Sequence, residues 1–273
     1  MANIQFLYLY LLFVTVSGAL SGDDDQCGAS DYRTGERIRN GTVVPQGKYP
    51  WLAYLSNGCT ATIVSRKYIL TAGHCVCQRR PNGSPPLPCD LKNHHEIQVV
   101  VGSVNHLEGQ EFKTKRMIPH EKYLAPLGVG VTYDIALIEL EEELTYSKDV
   151  RPICLSAKNQ EALADRIATT AGWGDIYGNG TLPERLLSLF DYSYTEYEIG
   201  PMMCTAIYNH TVTDHGDSGG PVMIMTDGRW TEVGITSYGK PPELGCPPGV
   251  YARVSHFCDW IAEKTNNEVR CDA

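Results

Sequence analysis

Six consecutive residues late in the chain, Gly216 to Pro221 (GDSGGP), place a serine hydroxyl between glycines. Glycines beside Ser218 allow a tight turn and a close approach to a substrate, which presents the hydroxyl outward. The same turn is able to aim the main-chain N–H groups of Gly216 and Ser218 at one point, as stabilisation of an oxyanion requires. This pattern predicts a nucleophile, and a serine hydroxyl needs a base from elsewhere in the chain.

Two further segments supply candidates for that base and for its partner. His74 ends an apolar run beside a cysteine in LTAGHC (70–75), and Asp134 immediately precedes the apolar run IALIEL. An isolated carboxylate at the start of a buried strand would lose much of its solvation free energy. Orienting a histidine and stabilising its imidazolium would give this carboxylate a partner. The residues therefore predict nucleophilic catalysis by a serine, a histidine and an aspartate.

The blocks TAGHC, DIALIEL and GDSGGPV, in this order, resemble the signature blocks of the trypsin-like (chymotrypsin-fold) serine proteases. The similarity extends from Ile38 to Ile261 and includes YPW, RPIC, AGWG and PGVY, in that order along the chain. It implies an all-β fold of two six-stranded antiparallel β-barrels packed together, with a short C-terminal helix. It also implies a serine endopeptidase in which His74 is the general base, Asp134 orients it and Ser218 is the nucleophile.

The resemblance further implies proteolytic activation at the junction between Arg37 and Ile38. The new amino group of Ile38 would pair with the carboxylate of Asp217, and this pair would order the oxyanion hole made by the N–H groups of Gly216 and Ser218. An ammonium–carboxylate pair in a desolvated pocket suits a switch, because neither charge tolerates burial alone. The chain is therefore expected to be made as a zymogen.

The resemblance also locates the pocket for the side chain that precedes the scissile bond. Val212 stands at its floor, Thr213 on its wall, and Gly239 and Gly249 at the two positions that gate it. An apolar floor leaves the charge of a bound Arg or Lys side chain uncompensated. We therefore expect chymotrypsin-like cleavage after Phe, Tyr, Leu or Met, with a smaller elastase-like preference as the variant.

Four more residues bear on substrate binding. Ser237 and Tyr238 begin the stretch that resembles the substrate-pairing strand of the family, although the family usually has Trp in place of Tyr238. Asp214 occupies a position where relatives carry a cysteine. A loop shifted by the loss of that disulfide would turn this acid into the pocket and restore cleavage after Arg or Lys. His215 precedes the oxyanion glycine and is expected to modulate the site as it titrates.

The chain contains ten cysteines, an even number that suits a secreted protein without an odd thiol. The resemblance implies one disulfide across the catalytic histidine and another that keeps the cleaved pro-segment attached. A third closes the insertion PNGSPPLP. Cys204 and Cys246 lack the partners that the family usually has, and we expect them to bond to each other because both flank the expected specificity pocket. Cys258 and Cys271 then form the last pair, across the C-terminal helix. The expected disulfides are Cys59–Cys75, Cys27–Cys154, Cys77–Cys89, Cys204–Cys246 and Cys258–Cys271.

Short apolar runs separated by turn residues must position these side chains. Examples are WLAYL, TIVSRKYIL, IQVVVG and VGITSY. Runs this short, rich in β-branched residues and closely spaced, predict a sandwich or barrel rather than βαβ units. The clearest helix is the last, predicted from about Phe257 to Asn267, with Trp260 and Ile261 on its apolar side.

Composition limits the function classes. The 273 residues carry a net charge of −9, which argues against binding to nucleic acid or to an anionic membrane. No long helical tract or series of apolar spans is present, which excludes coiled coils, helical repeats and multi-pass membrane proteins. The cysteine content is high for a cytosolic enzyme and indicates an oxidising compartment.

The N-terminus indicates secretion. Phe6 to Val16 is an apolar run of 11 residues, too short to cross ~30 Å of hydrocarbon as a helix but typical of a signal peptide. The alternatives are an uncleaved anchor or a buried strand. The expected organisation is a signal peptide over 1–21, a pro-segment (activation peptide) over 22–37 and the protease domain over 38–273. Four sequons are candidates for glycosylation: Asn40, Asn82, Asn179 and Asn209.

The implied partners are protein or peptide substrates, an activating trypsin-like protease and protease inhibitors, without nucleic acid or membrane. No cofactor is expected. The run His94-His95-Glu96 lacks a second ligand pair at zinc-type spacing, and Ser103 stands where a calcium-binding loop would carry an acid, so no metal is expected. Two other classes remain as alternatives: a catalytically silent homologue that acts as a binding module, and an inhibitor or lectin on a β scaffold.

Overall fold

The computed structural model describes residues 26–32, 42–77, 89–93, 96–123, 132–158, 166–174, 187–205, 216–239 and 249–272. Within these ranges the strands are β1 Thr42–Val43, β2 Leu52–Leu55, β3 Thr60–Ile63, β4 Tyr68–Thr71, β5 Gln98–Val101, β6 Gln110–Pro119, β7 Ala136–Leu140, β8 Cys154–Leu155, β9 Ile167–Gly172, β10 Leu187–Ile199, β11 Met202–Thr205, β12 Pro221–Thr226, β13 Arg229–Gly239 and β14 Gly249–Arg253. The helices are α1 Gly73–Val76, a 3₁₀ helix Val254–His256 and α2 Cys258–Lys264.

The first half of the chain forms a closed barrel of six strands in the order β2-β3-β4-β7-β6-β5. All its neighbouring strands are antiparallel, and closure leaves no strand edge unpaired. Leu55, Ile63, Ile69 and Leu137 are fully buried. The runs WLAYL, TIVSRKYIL and IQVVVG therefore supply strands of this barrel, whereas VGITSY lies in β13 of the second half.

The second half forms an eight-stranded sheet. Strand β9 pairs with both β10 and β12, so the antiparallel pairings of β9 to β14 complete a ring of six strands. Two short strands extend this sheet: β1 pairs with β10, and β8 pairs in parallel with β13. The predicted all-β architecture is confirmed. This half has eight strands instead of the six predicted, because β1 and β8 are added to the ring.

The two halves meet through strand β3. The main-chain N–H of Thr60 donates to the carbonyl of Ser218 at 2.9 Å, and the hydroxyl of Thr62 donates to Glu232 Oε2 at 2.7 Å. Trp51 and Trp173, at 0% and 1% exposure, belong to the same core cluster. This contact brings the first barrel against the loop that carries the candidate nucleophile.

Four of the expected disulfides are present: Cys27–Cys154, Cys59–Cys75, Cys77–Cys89 and Cys258–Cys271. Cys204 lies in β11, opposite Val250 of β14, but its side chain and Cys246 lie outside the described residues. The fifth pairing therefore stays a prediction.

The C-terminal helix is present and buries the predicted face, with Trp260 at 9% and Ile261 at 0% exposure. It ends at Lys264, earlier than the predicted Asn267. Asn266 and Asn267 have φ angles of 52° and 66°, a left-handed conformation that ends a right-handed helix.

Candidate active site

His74 and Asp134 form a doubly hydrogen-bonded pair. His74 lies in α1, immediately after β4, and Asp134 lies just before β7, the neighbour of β4 in the barrel. The ring Nδ1 of His74 lies 2.8 Å from Asp134 Oδ2, and the main-chain N–H of His74 donates to Asp134 Oδ1 at 2.8 Å. The same carboxylate therefore fixes both the imidazole ring and the backbone that carries it.

A tight turn aims the Asp134 carboxylate inward. The N–H of Ile135 donates to the carbonyl of Tyr133 at 2.9 Å, and Tyr133 has a φ of 60°, which is uncommon for a residue other than glycine. Asp134 is only 2% exposed, and the hydroxyl of Ser237 from β13 donates to its Oδ2. The carboxylate is thus held by groups from both halves of the molecule.

The surroundings of Asp134 keep it ionised. Burial alone would raise the pKa of this carboxyl, but the charge of His74 and the hydrogen bonds from His74 and Ser237 outweigh it, and the pKa lies below its ordinary value. An ionised carboxylate beside Nδ1 is the arrangement that stabilises an imidazolium when the ring accepts a proton.

Ser218 and His74 both approach the sulfur of Cys75 in the Cys59–Cys75 disulfide. The carbonyl oxygen of Ser218 lies 3.6 Å from Cys75 Sγ, and His74 Nε2 lies 3.8 Å from the same sulfur. Among the described residues no hydrogen bond joins the Ser218 hydroxyl to His74 Nε2. Such contacts are often long in the absence of substrate. The His74 side chain is 31% exposed, so part of the ring is accessible from solvent.

The turn at Gly216 fits an oxyanion hole. Gly216 has a φ of 99°, in the region that favours glycine. Within the described part of the chain, the N–H groups of Gly216 and Ser218 donate to no protein acceptor. Between them, Asp217 is 1% exposed and its Oδ1 accepts a hydrogen bond from the N–H of Gly174 at 2.9 Å.

Strands β13 and β14 place the residues expected to line the substrate cleft. Gly239 and Gly249, the predicted gates of the pocket, are direct partners in the register of these strands. Tyr238 stands one residue from Ser237, with its hydroxyl 3.8 Å from Met202 Sδ. Burial, and then the charge of Asp134, raise the pKa of the Tyr238 hydroxyl above its ordinary value. The hydroxyl of Tyr238 is therefore protonated and neutral near pH 7.

Other predicted residues lie outside the described ranges, so their positions stay predictions. They are the activation junction, the pocket floor with its neighbours, the sequons and the histidine pair: Arg37, Ile38, Val212, Thr213, Asp214, His215, Asn40, Asn82, Asn179, Asn209, His94 and His95.

Two clusters in the described residues bring three potential metal-ligand atoms within 4.8 Å of one another. One contains Cys59, His74 and Cys75, and the other contains Cys27, Cys154 and Asp272. The cysteines of each cluster are joined in a disulfide, so neither cluster offers the thiolates that bind metal ions.

Thr60 and Tyr133 contact or shape the candidate site, and the sequence did not indicate either residue. Thr60 contacts the oxyanion turn, and Tyr133 shapes the turn before Asp134. A threonine in an apolar run indicates only a strand, and a tyrosine carries no general preference for positive φ. No local sequence signal identifies either role.

The comparisons with known proteins agree with this geometry. A family model described as Trypsin matches residues 38–261. Human Transmembrane protease serine 11B is 31% identical over 88% of this chain and 59% of that protein. The human Transmembrane proteases serine 11A and serine 5 are each 29% identical, over 84% and 89% of this chain and 55% and 54% of their own lengths. The chain thus spans little more than half the length of these relatives. Among the described residues, no helix has the length and apolar character needed to cross a membrane.

Proposed function

This chain belongs to the trypsin family, and from that premise we propose that it is a serine endopeptidase with Ser218, His74 and Asp134 as its triad. The observation that carries the proposal is the doubly hydrogen-bonded pair of His74 and Asp134, with both distances at 2.8 Å. The placement of Ser218 and His74 Nε2 against one disulfide supports it. A binding module would have no need of a buried carboxylate that orients a histidine.

The proposed reaction follows the established mechanism of the family. The Ser218 hydroxyl attacks the carbonyl carbon of the scissile peptide bond while His74 Nε2 takes its proton. The N–H groups of Gly216 and Ser218 bind the oxyanion that forms. His74 then gives the proton to the leaving amine, which departs and leaves an acyl group on Ser218. A water molecule attacks this acyl group while His74 takes its proton, and return of the proton to the Ser218 oxygen releases the acid product. Asp134 holds the ring and stabilises the imidazolium in both halves of the reaction.

We further propose that the enzyme is a zymogen cut between Arg37 and Ile38. The family match begins at residue 38, and Asp217 is buried with a carboxylate positioned by Gly174. A new ammonium at Ile38 would reach a low-dielectric site where its attraction to a carboxylate is strong. Formation of this pair would order the neighbouring N–H groups for catalysis.

The segment before the cut is bound to the protease domain at residues 26–32. Cys27 is bonded to Cys154. The N–H of Gly28 donates to the carbonyl of Pro152 at 2.8 Å, and the carbonyl of Gly28 accepts from the N–H of Trp230 at 2.9 Å. Arg151 also contacts Asp31 at 3.3 Å. These contacts support the proposal that the cleaved segment remains attached as a light chain.

Secretion is the proposed localisation, because an apolar run of 11 residues precedes a chain with several disulfides. The relatives are called transmembrane proteases, so retention of the apolar run as an anchor is the competing interpretation. The N-terminal sequence of protein collected from the medium separates the two. A terminus near residue 20 or 22 supports cleavage of a signal peptide, and cell-bound protein that begins at residue 1 contradicts it.

The proposed specificity is chymotrypsin-like, on the argument from Val212 given above, and Asp214 carries the competing trypsin-like specificity. The enzyme's proposed partners are protein substrates, an activating protease and inhibitors of its class.

A fluorophosphonate probe tests the proposed function, because it labels only a serine activated as a nucleophile. After cleavage at Arg37, wild-type protein is expected to gain one probe mass on the peptide that contains Ser218, and the Ser218→Ala variant is expected to gain none. Absence of labelling in cleaved wild type would instead favour the silent homologue.

A further inference from the structure

The hydroxyl of Thr60 joins the first barrel to the candidate oxyanion turn. Thr60 begins β3 and is fully buried. Its Oγ1 donates to the carbonyl of Gly216 at 2.8 Å and accepts from the N–H of Trp173 at 3.3 Å. Both the donor and an acceptor position of the hydroxyl are therefore used, and each partner is a main-chain group of the second half of the molecule.

The main chain of Thr60 holds the next carbonyl of the same turn. Its N–H donates to the carbonyl of Ser218 at 2.9 Å. Its own carbonyl accepts the hydroxyl of Thr71 at 3.0 Å, which ties Thr60 to the neighbouring strand β4. One residue of a rigid barrel strand thus binds the carbonyls of Gly216 and Ser218, the two residues whose N–H groups face the proposed oxyanion.

Two glycines, Gly172 and Gly220, pack closely against the side chain of Thr60. A Cβ at Gly172 would lie 2.8 Å from Thr60 Oγ1, and a Cβ at Gly220 would lie 2.9 Å from Thr60 Cγ2. A side chain at Gly172 would displace the hydroxyl of Thr60, and a side chain at Gly220 would displace its methyl group. The side chain of Thr60 is therefore closely packed on two sides, with its hydroxyl hydrogen-bonded to Gly216 and Trp173.

The hydrogen bond from Thr60 to the carbonyl of Gly216 restrains the backbone of the proposed oxyanion hole. Gly216 has no side chain to restrict its backbone, and its φ of 99° is one of several conformations open to glycine. The held carbonyl belongs to the peptide unit between Gly216 and Asp217, which lies between the two units that carry the N–H groups of Gly216 and Ser218. Fixing this middle unit restricts how the two N–H groups are oriented relative to each other. Donors that are fixed before the reaction stabilise the transition state without reorganisation.

We propose that Thr60 is a positioning residue that preorganises the oxyanion hole through its hydroxyl. The inference rests on the proposed function, since it assumes that the N–H groups of Gly216 and Ser218 bind the oxyanion. Thr60 itself does not contact substrate. It acts through Gly216, so its removal is expected to weaken the hole without abolishing it.

The test compares activated wild type with Thr60→Val, which keeps the shape and removes the hydroxyl, and Thr60→Ser, which keeps the hydroxyl. We expect Thr60→Val to lower kcat on the order of tenfold, less than the ~10²–10³ for loss of a whole donor, with KM little changed. Thr60→Ser is expected to recover most of the activity. Thr60→Ala is measured beside them, so that a folding defect of one variant does not decide the result.

Thr62→Val is the matched control. Thr62 lies two residues along β3, is equally buried and also bonds across to the second half, but to Glu232 rather than to the oxyanion turn. A general loosening of the contact between the two halves would affect this variant as much as Thr60→Val. We expect Thr62→Val to change thermal stability while leaving kcat close to wild type.

A peptide aldehyde inhibitor supplies a second readout, because its bound hemiacetal places an oxyanion in the hole. We expect its affinity for Thr60→Val to fall by the same factor as kcat/KM. Wild-type kcat and aldehyde affinity in the folded Thr60→Val and Thr60→Ala variants would overturn the inference and leave the proposed function standing. Absence of hydrolysis by activated wild type would overturn the proposed function instead, and the inference with it.

Discussion

Asp134 accepts two hydrogen bonds from His74, one from the ring and one from the main chain, both at 2.8 Å. The main-chain bond fixes where the residue stands, and the ring bond fixes which nitrogen carries the proton. With the proton on Nδ1, Nε2 has a lone pair available for the Ser218 hydroxyl. The aspartate therefore acts on the tautomer of the base as well as on its charge.

Replacement of this aspartate tests that role. We expect Asp134→Asn to leave the fold intact and to lower kcat by ~10⁴, since an amide in this place favours the wrong imidazole tautomer. Steady-state kinetics on a peptide substrate measure the loss. Asp259→Asn, at an exposed position in α2, is the control and is expected to retain wild-type kcat. Activity of Asp134→Asn within tenfold of wild type would contradict the orienting role.

Glu232 predicts an unusual dependence of stability on pH. It is fully buried and accepts one hydrogen bond from Thr62, and its Oε1 has no hydrogen-bond partner among the residues that the structure describes. Burial raises the pKa of this carboxyl from 4.5 to about 8. Between these values the folded protein holds a proton that the unfolded chain has lost. The free energy of unfolding therefore falls as pH rises through this window, by up to about 1.4 kcal/mol per pH unit.

Glu232→Gln isolates this contribution, because an amide of the same shape does not titrate. Chemical unfolding at pH 5 and pH 8 should show the variant gaining stability relative to wild type at the higher pH. Glu142→Gln, at an exposed position, is expected to show no such gain. The same difference between Glu232→Gln and wild type at both pH values would show that Glu232 keeps an ordinary pKa.

Activation gives a prediction at the junction of the pro-segment. Arg37→Gln should yield a protein that trypsin does not activate, because a protease that cleaves after Arg or Lys loses its site. Activity after trypsin treatment measures the effect, and treated wild type should show a new N-terminus at Ile38. Active wild-type material that begins at Asn40 would contradict the proposed junction.

On a denaturing gel, the two chains of activated enzyme should separate only after reduction, since Cys27 is bonded to Cys154.

Specificity is tested with matched peptides that differ only in the residue before the scissile bond. With Val212 at the pocket floor, we expect the highest kcat/KM for Phe or Leu and a much lower value for Arg, whose charge would be buried without a partner. A kcat/KM for Arg at least tenfold above that for Phe would contradict the apolar pocket and favour Asp214. The Asp214→Asn variant would then be expected to lose the preference for Arg.

Sequence and structure agree where the signal is local. The blocks around His74, Asp134 and Ser218 each combine a reactive side chain with the strand or turn that presents it, and their order matched a known family. The pairing of Cys59 with Cys75 followed from that resemblance, and the pairing of Cys77 with Cys89 from the insertion that these two cysteines bracket. The three blocks and the bracketed insertion depend on few neighbours, so the sequence alone predicts them.

The contacts between the two halves of the molecule could not be predicted from the sequence. Glu232 stands in an ordinary strand run, and only the packing of β13 against β3 makes it a buried acid beside Thr62. The bond from Thr60 to Gly216 likewise joins residues 156 positions apart. Neither relationship follows from residue type or spacing, because each depends on how the second sheet is placed against the first barrel.

The most direct test of the central claim is the kcat of activated Ser218→Ala measured beside activated wild type. Wild type should hydrolyse a peptide after an apolar residue, and the variant should lose on the order of 10⁶ in kcat, as triad nucleophile removal does in an unrelated serine protease. Circular dichroism and the release of Ile38 as N-terminus establish that the variant is folded and cleaved. Hydrolysis by Ser218→Ala at the wild-type rate would contradict the assignment of Ser218 as the nucleophile.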